Sequence, residues 1–133
     1  FLENIGDSRA YHITPEGIFQ ISRDHSVVEN MVAKGDLTPL EARTHPNRNL
    51  ITRALGPDIH AKADTFELPW HKDEFLLLCS DGLVNTVSDR EMLFEVLHDG
   101  DVNECLDHLL QISLQRGAPD NITAVLLLNE EGR

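Results

Sequence analysis

Three carboxylates have neighbours that could give them a chemical role: Asp81, Asp120 and Asp7. Asp81 follows the apolar run Phe75–Cys79 through Ser80, and Gly82 comes directly after it. A short apolar run of this kind reads as a buried strand. A carboxylate at the end of such a strand is costly unless something pairs with it. The glycine permits close backbone approach or an unusual turn. Asp120 stands before a second apolar strand, Ile122–Leu128, and Asp7 lies in a Gly6-Asp7-Ser8 turn. If the two strands are antiparallel neighbours, Asp81 and Asp120 lie at the same edge of a sheet. Two like charges held close together repel and call for a cation between them. Hard oxygen donors without His or Cys around them point to Mg²⁺ or Mn²⁺, and Asp7 could join that edge. The other reading is a set of independent turns, Asp-Gly among them, and spacing alone leaves both open.

Around these residues the pattern predicts the elements that must carry them. The opening FLENIGDSRAYHI reads as a strand, a tight turn at Gly6-Asp7-Ser8 and a strand from Ala10 to Ile13. Pro15-Glu16-Gly17 is a turn signal before the alternating IFQIS, so a β-meander is expected. Ser26 and Glu29 make a capping-box signal for a helix that reaches about Lys34 and stops at Gly35. Thr38, Pro39 and Glu41 open a short helix ending near Thr44. THPNRNLITRALGPD then reads as a loop with a short strand or helical turn near Leu50 to Leu55, in the most basic segment of the chain. AKADTFEL alternates as a strand, and a turn from Pro69 to Glu74 leads into the Phe75–Cys79 strand. Ser88 and Glu91 announce a helix carrying Met92, Leu93, Val96 and Leu97, broken at Asp99-Gly100-Asp101. Val102, Cys105, Leu106, Leu109 and Leu110 form the apolar face of a longer helix ending at Gly117. The predicted class is α+β, with antiparallel strands covered by helices.

Composition narrows the function. A chain of 133 residues is one domain or part of one. Its net charge of −12 argues against nucleic acid as a partner and against anionic membranes. Cys79 and Cys105 form no CxxC motif and read as small buried hydrophobes of a reducing compartment. No apolar run approaches the roughly 20 residues that span a bilayer, and no signal peptide is visible, so a cytoplasmic setting is expected. The chain opens without Met, in what reads as the middle of a sheet, and is expected to be a fragment. For each of its 7 histidines, His25 in the Asp-His-Ser stretch and His45 included, a structural or surface role is the reading.

NIGDSRAY, DHS, HPNRNLITRALG, LLLCSDGL and PDNITAVLL occur in this order and at fitting spacings. Together they resemble the C-terminal part of the metal-dependent protein serine/threonine phosphatases, the protein phosphatase 2C family. The flavour is that of the bacterial members that oppose Hanks-type kinases, and the resemblance extends over essentially the whole chain. It implies an antiparallel β-sandwich flanked by helices, in four αββα layers, incomplete in this fragment. Residues 1–133 would be the C-terminal portion of a single catalytic domain, with a flap subdomain at about 35–55. Asp81 and Asp120 match the family aspartates that bind a dimetal Mn²⁺/Mg²⁺ centre from this half of the protein. Asp7 matches a residue of a third, weaker metal site, and Asn85 stands where eukaryotic members often carry another Asp.

The implied activity is hydrolysis of phosphoserine and phosphothreonine on proteins by a metal-activated water, with no covalent nucleophile. In the family the N-terminal half supplies a metal-bridging Asp-Gly pair, a phosphate-gripping Arg and a His acting as general acid. None of these motifs is in this chain. No catalytic residue beyond the metal ligands is therefore expected here, and the fragment alone should be weak or inactive. The implied partners are phosphoprotein substrates, with a Hanks-type kinase and its targets. Open strand edges and apolar faces imply self-association. Two other readings are kept: a non-catalytic phosphatase-like regulatory or binding module, and a phosphatase-like domain acting on an anti-sigma-factor antagonist.

Overall fold

The computed structural model describes residues 2–4, 6–47, 50–52, 62–117 and 121–130. Asp120, Arg48, Arg53 and the end of the expected loop lie outside the described residues. In chain order the elements are β1 (Leu2–Asn4), β2 (Arg9–Thr14), β3 (Gly17–Gln20), α1 (Val27–Ala33), α2 (Pro39–Thr44), β4 (Asp64–Phe66), β5 (Phe75–Cys79), α3 (Asp81–Val84), α4 (Asp89–His98), α5 (Val102–Gln115) and β6 (Ala124–Leu128). They fall into two compact units, one of residues 1–8 and 22–67, the other of 9–21 and 68–133. Both sheets are antiparallel and helices accompany them, an α+β fold as expected.

The second unit is built on a four-stranded sheet in the order β3-β2-β5-β6. Of its two interior strands, β2 and β5, the latter is apolar at every residue, because both of its faces carry apolar rows. One face is closed. Tyr11, Ile13, Leu77, Cys79 and Leu126 pack with Leu83 and Val84 of α3, Met92 and Val96 of α4, and Cys105 and Leu109 of α5. Each fully buried side chain of this size contributes about 1.5–3 kcal/mol of apolar burial. The opposite face carries the cross-strand row Phe19, His12, Leu76 and Leu127, and on it Phe19, Val125 and Leu127 remain exposed.

Helices start where polar caps permit. Ser88 and Thr38 form complete capping boxes with Glu91 and Glu41. Ser26 accepts from the Glu29 amide, while the Glu29 carboxylate lies 3.5 Å from Arg23 Nε. Gly117 at φ 68° follows α5, the left-handed position that favours glycine after a helix. Burial pushes the Cys105 thiol up to about 12, with Asp99 and Glu95 adding to the shift, as suits an inert core residue. Both cysteines are free and buried. Among the described residues no helix is long and apolar enough to cross a membrane.

One expectation fails in the first unit. β1 does not continue into a meander with β2. It pairs with β4, setting Leu2 opposite Phe66 and Asn4 opposite Asp64, and the hairpin is β2–β3 alone. The turn between them bonds elsewhere: the backbone N–H and C=O of Gly6 are both bonded to His25.

Candidate metal centre

The pairing of β5 with β6 is the relation on which the sequence-based metal reading depended. The two strands are antiparallel neighbours, with Cys79 opposite Ala124. The residues after β5 and before β6 therefore leave the sheet side by side. Ser80 N–H donates to Thr123 O at 2.9 Å, and Thr123 N–H donates to Ser80 Oγ at 3.0 Å. The Ser80 hydroxyl also lies 3.5 Å from Asn121 O. Ser80 is the N-cap residue of α3, yet its side chain makes no capping bond there. It is engaged in holding the strand that follows Asp120 in sequence.

Gly82 explains the sequence Asp-Gly. A Cβ at this position would stand 2.3 Å from Asn121 O and 3.1 Å from Asn121 C, both backbone atoms. Only glycine lets the two segments approach so closely. Asp81 is half-buried and begins the single turn of α3, a helix that the sequence pattern does not announce. Behind it, Leu83 and Val87 are anchored in the core. The Thr86 hydroxyl donates to Gly82 O at 2.9 Å and shares a 2.7 Å hydrogen bond with Ser113 Oγ of α5. Arg116 closes the same corner, donating to Thr86 O at 2.7 Å. The strand end carrying Asp81 is thus fixed by the core from one side and by residues 121–123 from the other.

The acid at this end is the Asp81 carboxylate, beside a Ser80 hydroxyl that is bonded to the 121–123 segment. Cys79 turns into the core and is only 4 % exposed, so no thiolate competes there. A carboxylate in such a setting suits a hard divalent cation. Asp7, half-buried, stands in the first unit in the turn after β1. Asp120 lies outside the described residues, directly before Asn121 in sequence.

A different carboxylate group escaped the sequence reading. Glu95 and Asp99 at the end of α4 converge with His108 of α5, which lies 3.1 Å from Asp99 Oδ2 and 3.4 Å from Glu95 Oε2. Its hydrogen bond and charge interaction with Asp99, joined by Glu95, hold the His108 pKa above the usual histidine value. Burial and the neighbouring Asp99 raise Glu95. His108 here offsets two acids at a helix–helix junction. The spacing of Glu95, Asp99 and His108 carries no motif, and only the packing of α4 on α5 brings them together.

The sheet and the Asp81 corner make an α+β scaffold, and comparison with known proteins gives it a family. No protein-family model matches the chain. The serine/threonine phosphatase stp of Listeria monocytogenes is 35% identical over 135 residues, covering 99% of this chain and 54% of that protein. The crystal structure of the serine/threonine phosphatase Stp1 from Staphylococcus aureus superposes with a TM-score of 0.89 at 41% identity, covering 96% of this chain and 50% of that one. A third solved structure is the catalytic domain of the phosphatase PstP in complex with two manganese ions. It gives a TM-score of 0.76 at 32% identity and covers 93% of this chain and 50% of that one. The chain therefore belongs to the metal-dependent protein serine/threonine phosphatases, the PPM or protein phosphatase 2C family. It spans about half the length of the curated relatives just described.

Proposed function

We propose that this chain is the part of a phosphoprotein phosphatase that holds metal ions through Asp81 and Asp120, with Asp7 at a further, weaker site. The reaction is hydrolysis of phosphoserine and phosphothreonine on proteins. The observation that carries the reading is the approach of Gly82 to the Asn121 backbone, because it draws together the two segments whose aspartates match the family's ligands. A pair of bound Mn²⁺ or Mg²⁺ ions would supply an activated water and offset the charge of the substrate phosphate. The protein's own residues supply the rest. Asp81 gives an anionic oxygen at a rigid strand end. Ser80 and Thr123 lock the neighbouring segment by two hydrogen bonds. Leu83, anchored in the core, keeps the α3 turn from shifting.

The physiological role that fits is opposition to a bacterial Hanks-type kinase in the cytoplasm, with residues 35–55 as a flap beside the substrate. Exposed Phe19, Val125 and Leu127 support self-association of the isolated chain.

The test is Mn²⁺ binding by calorimetry together with phosphate release from a phosphothreonine peptide, with Asp81→Asn and Asp120→Asn as controls. Mn²⁺ should bind, and either substitution should weaken binding by at least about 10-fold. Any turnover by the chain alone should be slow, Mn²⁺-dependent and lost in Asp81→Asn. Binding without turnover would leave a half-site, or the non-catalytic module. Mn²⁺ affinity unchanged in both variants would sink the proposal.

A further inference from the structure

The catalytic reading leaves one buried histidine unused. His25 of the Asp-His-Ser stretch is 4 % exposed, and it grips a single residue with both its ring and its backbone. Gly6 N–H donates to His25 Nδ1 at 2.9 Å, and His25 N–H donates to Gly6 O at 2.7 Å. Gly6 has φ 104°, a left-handed conformation that favours glycine, and it immediately precedes Asp7. The β1–β4 ladder ends at Asn4 opposite Asp64, so these two bonds to Gly6 lie beyond the sheet.

The bonding pattern also fixes the ring. A ring nitrogen that accepts a hydrogen bond carries no proton, so the imidazole hydrogen is on Nε2. Nε2 faces Asp64 Oδ2 at 2.7 Å, and its N–H donates to that carboxylate. The His25 carbonyl accepts from Thr52 N–H at 2.8 Å. Both ring nitrogens and both backbone groups of His25 are thus engaged, and the ring ties β4 to the turn carrying Asp7. A carboxylate that orients a histidine, which in turn orients a neighbour, is the arrangement that supports metal ligands in many proteins. Here the residue oriented is a backbone glycine next to an acid.

We propose that His25 is a positioning residue: held as the Nε2–H tautomer by Asp64, it fixes the Gly6 backbone and with it the place of the Asp7 carboxylate toward a divalent cation. This rests on the reading of Asp7 as a metal-site residue. His25 itself touches neither metal nor substrate.

Two substitutions separate its two bonds. Asparagine puts an amide oxygen near the position of Nδ1, so His25→Asn keeps the acceptor for Gly6. Glutamine puts its amide near Nε2, so His25→Gln keeps the donor for Asp64 and drops the acceptor for Gly6. Three measurements on the full chain decide the matter: the ¹⁵N tautomer pattern of His25, hydrogen exchange at the Gly6 amide, and Mn²⁺ affinity. Nε2–H with a bare Nδ1 is expected in the native protein. His25→Gln should lose Gly6 protection and weaken the Mn²⁺ site that Asp7→Asn weakens, by about 10- to 100-fold. His25→Asn should stay near the native values in both.

If Asp7→Asn weakens that site while His25→Gln leaves it intact, His25 is only structural and the inference falls, with the reading of Asp7 standing. If Asp7→Asn changes no Mn²⁺ affinity, the reading of Asp7 fails first and takes the inference with it. A His25 ring protonated at Nδ1 would overturn the inference even if His25→Gln failed to fold.

Discussion

The two units are held by different forces. The second is an apolar core under a sheet: among the described residues, all the buried apolar ones but Val28 belong to it. Among the described residues of the first, Val28 is the buried apolar side chain. Asn4, Ser22, His25 and Ser26 are its buried polar residues among those described, and hydrogen bonds around His25 join β4, Thr52 and the turn at Gly6. The contrast teaches where rigidity at a site comes from. Asp81 is rigid because α3 behind it is packed into the core. The Gly6 turn before Asp7 is tied to His25 by two directional bonds, each of which contributes only about 0.5–1.5 kcal/mol net. A packed core opens as a whole, whereas a polar junction can open locally.

Substitutions can break this contrast or sharpen it. The largest effect is expected in the core of the second unit. Leu77→Ala, at a fully buried position in interior strand β5, should cost about 2–5 kcal/mol, seen as an earlier denaturant midpoint and faster exchange throughout the second unit. Val28→Ala should cost less and loosen amides of α1 without touching those of β5. Equal, global loss of protection in both variants would mean that the two units unfold as one and would erase the contrast.

Gly82→Ala comes next. Its new Cβ meets backbone atoms of Asn121, which cannot swing aside as a flexible side chain can. Overpacking of this kind costs typically about 1–3 kcal/mol. The variant should also lose Mn²⁺ affinity, since the Asp81 corner must open to admit the methyl group. Unchanged thermal stability would show that the two segments do not press on each other at Gly82.

The smallest effect is a pH dependence at the edge of the core. The Arg116 guanidinium forms a two-pronged pair with Glu91 and holds that carboxyl at about 2, below its ordinary 4.5. A carboxyl lowered on folding stabilises the protein above its unfolded value and loses that contribution as pH falls through the folded one. Stability should therefore fall between about pH 4.5 and 2, and Arg116→Ala should flatten that part of the Tm-against-pH curve. The pair is largely exposed, so the change is modest. An unaltered acid limb in Arg116→Ala would assign it to other carboxyls.

Much of the second unit was legible in the chain. Phe75–Cys79 and the strand ending at Leu128 announced themselves by apolar runs. Ser88 with Glu91 marked the start of α4, and Val102, Cys105 and Leu109 marked the buried side of α5. Local chemistry decides these features, because a cap bonds to the turn beside it and an apolar face has one way to be buried. The motif Ser80-Asp81-Gly82 named the candidate site and allowed a close backbone approach at the glycine, but not which backbone approaches. That depends on Asn121, far along the chain, whose carbonyl would meet a Cβ there. The partner of β1 was likewise invisible, since strand pairing is settled by distant backbone, and the sequence reading placed β1 in a meander it does not join.

His25 marks the boundary most clearly. As a sequence feature it is one histidine of 7, placed in the Asp-His-Ser stretch, where neither neighbour tells what its ring nitrogens hold. Its place as a bond between Gly6 and Asp64 exists only once residues 19 and 39 positions away are brought to its two ring nitrogens. The sequence by itself determined which segments become strands and helices and which acids stand at their ends, because those depend on neighbours along the chain. Tertiary structure alone decided which backbone meets Gly82, which strand takes β1 and what the buried histidine holds, because hydrogen bonds and close packing act over a few ångströms of space, however far apart the residues lie in sequence.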